Sequence, residues 1–235
     1  MIRNLIIKIK RKETPFFKML YNISDTVRRS SFPCIRPIHL PLYYMRIGVL
    51  NFFIWCKHTL WDIPLFKSRC KMAGKGLRLP NGQPLVMGNL ELELGENVTI
   101  MRTTLGASNV FDKPVLKIGN NTTVGYGTIV SVAQRVSIGD NTLIGPQCLI
   151  MDNDDHPINP SERLARMPVR KEDVSPVKIG NNVWLGTRVT VLRGVSIGDN
   201  SIVGSNSLVS KDVLPNCIVA GFPARVVKNN IDIDY

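Results

Sequence analysis

Val177-Lys178-Ile179-Gly180-Asn181-Asn182-Val183-Trp184-Leu185-Gly186 opens a stretch in which an aliphatic residue returns every six positions. Ile179, Leu185, Val191, Ile197, Val203 and Val209 form an unbroken register. A period of six is neither the 3.6-residue period of an amphipathic helix nor simple two-residue alternation. It fits a short strand and a corner, repeated. Three such units make one coil of a parallel β-helix, with the aliphatic side chain pointing inward onto its counterpart in the next coil.

The register extends upstream. Val132, Ile138, Ile144 and Ile150 form a second run, and Ile118, Val124 and Val130 a third, offset from the second by two residues. An apolar residue followed by Gly recurs from Leu94-Gly95 to Val203-Gly204. The Gly is expected to let the chain turn the corner, and the Asn-Asn and Gly-Asp-Asn runs tolerate turn geometry. A coil buries its face only against neighbouring coils, so both ends need caps. The fold class is therefore mainly β, a β-helix of hexapeptide repeats. The expected organisation is a basic, aromatic, mainly helical segment over 1–84, the β-helix over 85–213 with an active-site loop at 151–177, and a C-terminal tail over 214–235.

That loop is where the register breaks. It begins Met151-Asp152-Asn153-Asp154-Asp155-His156-Pro157 and continues with Arg163, Arg166 and Arg170. Loops expelled from a repeating scaffold commonly carry function. An EF-hand reading fails, because counting from Asp152 puts Pro157 where Gly is required and Arg163 where Glu is required. One histidine without cysteine is too few for zinc, and a β-helical carbonic anhydrase would need three histidines, so no metal is expected. A single imidazole remains a good general base near neutral pH. His156, flanked by carboxylates that can fix its tautomer, is the candidate.

Charge divides the chain. Of 30 Lys+Arg and 18 Asp+Glu, residues 1–80 hold 16 and 3, so the whole net charge of +12 lies in the first third. Most of the aromatic residues lie there too. The longest apolar stretch, Ile47–Cys56, is too short to cross a bilayer as a helix. Pro33, Pro37 and Pro41 divide the region into two predicted helices, about 14–30 and 42–62. Three readings fit this composition: a helix on an anionic membrane surface through residues 1–70, a segment binding an acidic polymer, or helices packed on the main domain. No nucleic-acid recognition motif is present, and no nucleic-acid partner is expected. The apolar fraction of 44% and a mean hydropathy near zero argue against disorder and against an integral membrane protein. Five cysteines with no CxxC pair support neither a disulfide framework nor a zinc ribbon, and point to a reducing compartment. No secretory signal peptide is read at the N-terminus.

The stretch from Val177 to Gly186 is similar to the VxIGxxVWIG segment of hexapeptide-repeat acetyltransferases, and Leu192–Ser201, Val209–Val213 and Val219–Lys228 continue the likeness. The resemblance spans 85–230 and is strongest to galactoside, maltose and surface-polysaccharide O-acetyltransferases. It implies a left-handed β-helix, a homotrimer with active sites at subunit interfaces, and acetyl-CoA as co-substrate. It implies that His156, in the family's His-Pro motif, is the base, and that the backbone N–H of Thr187 stabilises the oxyanion. Asn153, Asp155, Trp184 and Tyr126 would line the acceptor site. Trp184, Gly186, Ser205, Ser210, Lys211, Ala220, Gly221, Arg225 and Lys228 would meet the donor. Cys148 and Cys217 read as core residues, so no acyl-enzyme is implied.

Two departures stand out. The sugar enzymes carry an Asn in the coil before the loop, where this chain has Val124-Gly125-Tyr126-Gly127, and their short N-terminal helical segment is replaced by a longer basic one. The expected activity is O-acetylation of a sugar hydroxyl on a surface polysaccharide or its lipid-linked precursor, at the inner face of the cytoplasmic membrane. A small soluble acceptor and a non-catalytic membrane scaffold are the rival readings.

Overall fold

The six-residue periodicity becomes three columns of stacked side chains. The structure, a computed structural model, describes residues 2–230; residues 231–235 of the predicted tail lie outside the described residues. Three sheets of six, seven and six strands form three faces of a β-helix. On the first face Leu94, Ile118, Ile138, Ile179 and Ile197 pair in register. On the second, Ile100, Val124, Ile144, Leu185, Val203 and Val219 do so. On the third, the column is Leu105, Val130, Ile150, Val191 and Val209. All are buried and belong to one hydrophobic cluster. Each buried aliphatic side chain removes roughly 1.5–3 kcal/mol worth of apolar surface from water, so the columns are the main stabilising feature.

The offset between sequence registers now has a geometric meaning. Equivalent corner residues are 18 apart from Asn181 to Asp199 but 20 apart from Asn120 to Asp140. From Asp140 to Asn181 they are 41 apart. The excess is the loop, which leaves between the third and first faces without shifting either column.

The corners correct one expectation. The glycines after the aliphatic residues are not there chiefly to turn the chain. At Gly139 a Cβ would stand 2.6 Å from the Gly180 carbonyl carbon of the next coil. Close stacking of coils excludes a side chain there. The left-handed backbone geometry falls instead on Asn97, Asn121, Asn141, Asn182, Asn200 and Asn216, residues that tolerate it. Their amides also stack in ladders, such as Asn97 to Asn121 at 3.1 Å and Asn121 to Asn141 at 3.0 Å.

The chain divides into two units, Met1–Phe52 and Phe53–Tyr235. In the first, α1 (Ile2–Arg11) and α2 (Pro15–Arg29) lie in contact, with Thr14 Oγ1 capping α2 through the Phe17 N–H at 3.3 Å. Helix α3 (Arg36–Lys57) starts earlier than predicted and runs through Pro41. Pro41 sits near the helix start, where it forgoes one backbone bond, to Pro37, without ending the helix. No residue of α3 is buried, and Tyr43, Tyr44, Val49 and Leu50 are among its exposed side chains. In the second unit a π-helical turn (His58–Asp62) leads into α4 (Ile63–Arg69). Phe66 of α4 is buried in the β-helix core, and Arg69 donates to the Leu90 and Gly88 carbonyls at 3.1 and 2.9 Å. Helix α4 thus closes the first coil.

At the other end, strands Ile218–Gly221 and Ala224–Lys228 pair as an antiparallel hairpin that extends the second face. Among the described residues no helix is long and apolar enough to cross a membrane.

Candidate active site

Strand Leu149–Met151 lies inside the third face, and the chain leaves the coil after it, at Asp152. This carboxylate is fully buried. It accepts the backbone N–H groups of Ala133, Gln134 and Arg135 at 2.6, 2.7 and 2.7 Å, at the corner of the preceding coil. Charge-assisted bonds of this length are the strong kind. Asn153, also buried, donates to Asp152 Oδ1 at 2.9 Å and accepts the Asp155 N–H at 2.8 Å. Asp155 adopts a left-handed backbone and accepts from Ser131 Oγ at 2.6 Å. The Arg193 guanidinium pairs with Asp154 at 3.0 Å. Four successive residues are therefore fixed immediately before His156.

The far end of the loop is closed by Ser175, whose N–H donates to the Asp152 carbonyl at 2.9 Å. Between these points α5 (Pro160–Leu164) is capped by Asn159, and Val169 and Val174 pack with Ala133 in a small apolar cluster. Arg170 pairs with Glu162 and holds that carboxyl below its usual range. The imidazole of His156 is exposed and has no hydrogen-bond partner among the described residues. The backbone N–H of His156 donates to the Asp154 carbonyl at 2.6 Å. The backbone is fixed while the base is left open to a ligand hydroxyl.

The other expected residues gather on the second face. Tyr126, Trp184, Gly186, Thr187 and Ser205 line one cavity of about 450 Å³. Tyr126 and Trp184 each stand about half exposed at corners or on the strand. The Thr187 N–H points to Ser205 Oγ at 3.2 Å, a weak contact that a more negative oxygen could displace. Ser210, Lys211 and Arg225 line a second cavity of about 350 Å³ toward the tail. Ala220 pairs with Arg225 in the hairpin, the Gly221 N–H donates to Ser207 Oγ at 3.0 Å, and Lys228 pairs with Ile218. Ala220, Gly221, Arg225 and Lys228 thus lie on the hairpin extension of the second face, whereas Ser210 and Lys211 follow strand Leu208–Val209 of the third.

His156 does not share that cavity. Its loop follows strand Leu149–Met151 of the third face, whereas Trp184 lies on the second. Asn153 and Asp155 hold the loop by the bonds above. Cys148 is buried and donates to the Gly186 carbonyl at 3.2 Å, and burial raises its thiol above the ordinary value, as a core residue requires. Sequence reading missed Asp152 as an anchor. Its signal was an acidic residue directly after the last register position.

A solenoid of hexapeptide coils with one extruded histidine loop defines the class of protein. The family described as Bacterial transferase hexapeptide (six repeats) matches residues 176–211. Galactoside O-acetyltransferase of Escherichia coli K12 is 36% identical over 142 residues, which cover 57% of this chain and 67% of that protein. WbbJ of the same organism, named for O-acetyl transfer in lipopolysaccharide biosynthesis, is 32% identical over 142 residues, covering 58% and 71%. The crystal structure of a variant of AntD, an N-acyltransferase from Bacillus cereus, superposes with a TM-score of 0.55 at 16% identity, covering 72% of this chain and 88% of that one, and shows the common fold. The chain belongs to the hexapeptide-repeat acetyltransferases and is an acyltransferase.

Proposed function

We propose that this enzyme moves an acetyl group from acetyl-CoA to a sugar hydroxyl of a surface polysaccharide or its lipid-linked precursor. The observation that carries the reading is the pinned loop: four residues fixed ahead of an exposed imidazole that has no partner among the described residues. In this mechanism His156 takes the proton of the acceptor hydroxyl as that oxygen attacks the thioester carbonyl. The Thr187 N–H stabilises the tetrahedral oxyanion, a contribution of about 3 kcal/mol for one such donor. Collapse of the intermediate expels the CoA thiolate, which takes the proton from the imidazolium. Lys211, Arg225 and Lys228 supply positive charge for the nucleotide phosphates, and Trp184 and Ser205 flank the pantetheine. A homotrimer fits the separation of His156 from the Trp184–Thr187 cavity, since a neighbouring copy can bring the two together.

The relatives named for galactoside and lipopolysaccharide O-acetylation support the acceptor class. Mass spectrometry of surface glycans from cells with and without the active enzyme tests it. Acetyl increments on glycan sugars are expected only with the active enzyme, and identical glycan spectra in the two strains reject this acceptor.

In the same reading the basic, aromatic helices hold the enzyme at the inner face of the cytoplasmic membrane. The support is α3, which exposes apolar side chains all along its length beside Arg36, Arg46 and Lys57. Full-length protein should sediment with phosphatidylglycerol vesicles at low salt and be released at high salt, because the attraction is screened. Protein that stays in the supernatant at low salt would show this placement to be wrong.

A further inference from the structure

The π-helical turn His58–Asp62 builds a second polar cluster, away from the loop. A π turn is wider than an α turn, so two consecutive side chains reach one carboxylate. Lys57 Nζ lies 2.8 and 3.0 Å from the Asp62 oxygens, and His58 Nδ1 lies 2.8 Å from Oδ2. Gln83 Nε2 adds a donor at 3.3 Å. Asp62 is only 3% exposed. Burial raises its pKa, but the hydrogen bonds and charges of Lys57 and His58 outweigh this and hold the carboxyl below its ordinary value. A buried carboxylate is expensive equipment for a helical cap, whose work Phe66 already does by apolar contact.

The arrangement fixes the imidazole. Nδ1 is committed to Asp62, so Nε2 is the ring's remaining polar atom. The ring borders a cavity of about 570 Å³ whose lining includes Trp55, Thr59, Arg78, Leu79 and Thr99. Met101 and Thr123 line both this cavity and the one containing Trp184 and Thr187. The two adjoin along the second face, and we read them as two arms of one groove. Each part is within the size range of small-molecule sites, about 300–1,000 Å³.

The ends of the groove differ. From Thr187 the donor-side residues run to the hairpin, through Ser205 to Arg225 and Lys228. The arm holding His58 runs the opposite way, toward the first coil. An apolar chain lying there would bury the polar groups of His58, Thr59, Arg78 and Thr99 without partners. A sugar ring would pair them and set its C–H face on an indole.

We propose that this arm is an acceptor subsite that binds a second sugar ring, stacked on Trp55 and hydrogen-bonded by His58 and Arg78, so that the enzyme selects oligosaccharide over monosaccharide. The proposal rests on the sugar O-acetyltransferase reading above. It names the part of the acceptor that does not react and gives the helical segment a role in specificity.

A glycan array probed with fluorescently labelled full-length protein tests it. Matched mono-, di- and longer saccharides remove the need to know the sugar in advance. Two variants are used: Trp55→Ala, at an exposed position, and His58→Asn, whose amide can still reach Asp62 but which lacks Nε2. Circular dichroism checks that each is folded, and Trp55→Ala carries the test alone if His58→Asn is not. Wild-type protein should be retained on glycans of two or more sugars and more weakly on the matching monosaccharides. Each variant should bind the longer glycans about tenfold more weakly, the size expected on truncating an anchor contact, and Trp55→Phe should recover part of the loss. Equal binding by variant and wild type, or no length preference in the wild type, overturns the subsite. Transfer from acetyl-CoA, followed on the same array with the same preparations, reads the proposed function separately: length-dependent binding that Trp55→Ala abolishes, without any acetylation, rejects the transfer reaction and leaves a glycan site standing.

Discussion

His156→Ala lowers turnover by about 10²–10⁴-fold and leaves the coil stack folded. That range corresponds to roughly 2.7–5.5 kcal/mol of transition-state stabilisation. It is large because nothing nearby can replace the base. Asp152 is buried under three backbone amides, Asp155 accepts from Ser131, and Asp154 is paired with Arg193. The fold survives because the side chain is exposed and makes no hydrogen bond among the described residues. The loss should fall on kcat, with a smaller change in KM for acetyl-CoA, since the imidazole acts in the transition state rather than in donor binding. Steady-state kinetics with acetyl-CoA and a melting curve decide it. A variant that turns over near the wild-type rate removes His156 from the mechanism.

Asp152→Ala should damage both stability and turnover. Three backbone N–H groups lose their acceptor at once, and the Ala133 N–H is buried. A buried donor left unpaired costs about 1–3 kcal/mol. Water can reach the other two in part, so a total near 3 kcal/mol is expected, or a drop of roughly 6–12 °C in melting temperature for a chain of this size. Asn153 loses the Oδ1 it donates to, and Asp155 depends on Asn153 in turn. The backbone before His156 is then no longer held, and kcat should fall at least tenfold, since small misplacements of a reacting group are costly. Asp152→Asn keeps the shape and one acceptor oxygen, and should recover part of both losses. Thermal melting and kcat measured on the two variants give the answer. Unchanged kcat in a destabilised Asp152→Ala protein would show that the carboxylate serves only the fold.

Much of this was readable from spacing. The columns Ile179–Ile197, Leu185–Val203 and Val191–Val209 are the sequence register folded into coils of 18 residues, because period is a local property that neighbouring coils enforce. The position of His156 was readable for the same reason: a break in a strict register is visible without coordinates. What held the histidine was not. Asp152 acts on amides of Ala133, Gln134 and Arg135, which become its neighbours only when one coil settles on the next. The corner glycines were found for the wrong reason, since a Cβ clash with the adjacent coil leaves no local trace in the sequence. Helix α3 was shortened by reading Pro41 as a stop, although a proline near a helix start removes only one bond. His58 and Asp62 stand four apart and so share a helix face, but their partnership with Lys57 needed the π turn.

The bond from the Ser175 N–H to the Asp152 carbonyl has a consequence for how such enzymes diversify. It brings the two ends of the loop together at one corner, so the register of the coils does not depend on the length of what hangs between them. The cost of closing a longer loop grows only with the logarithm of its length. The segment from Ile158 to Pro168, between the anchored residues before His156 and the cluster of Val169 and Val174, is therefore a detachable cartridge: its length and chemistry can be rewritten for a new acceptor while the scaffold that carries the donor site keeps its register.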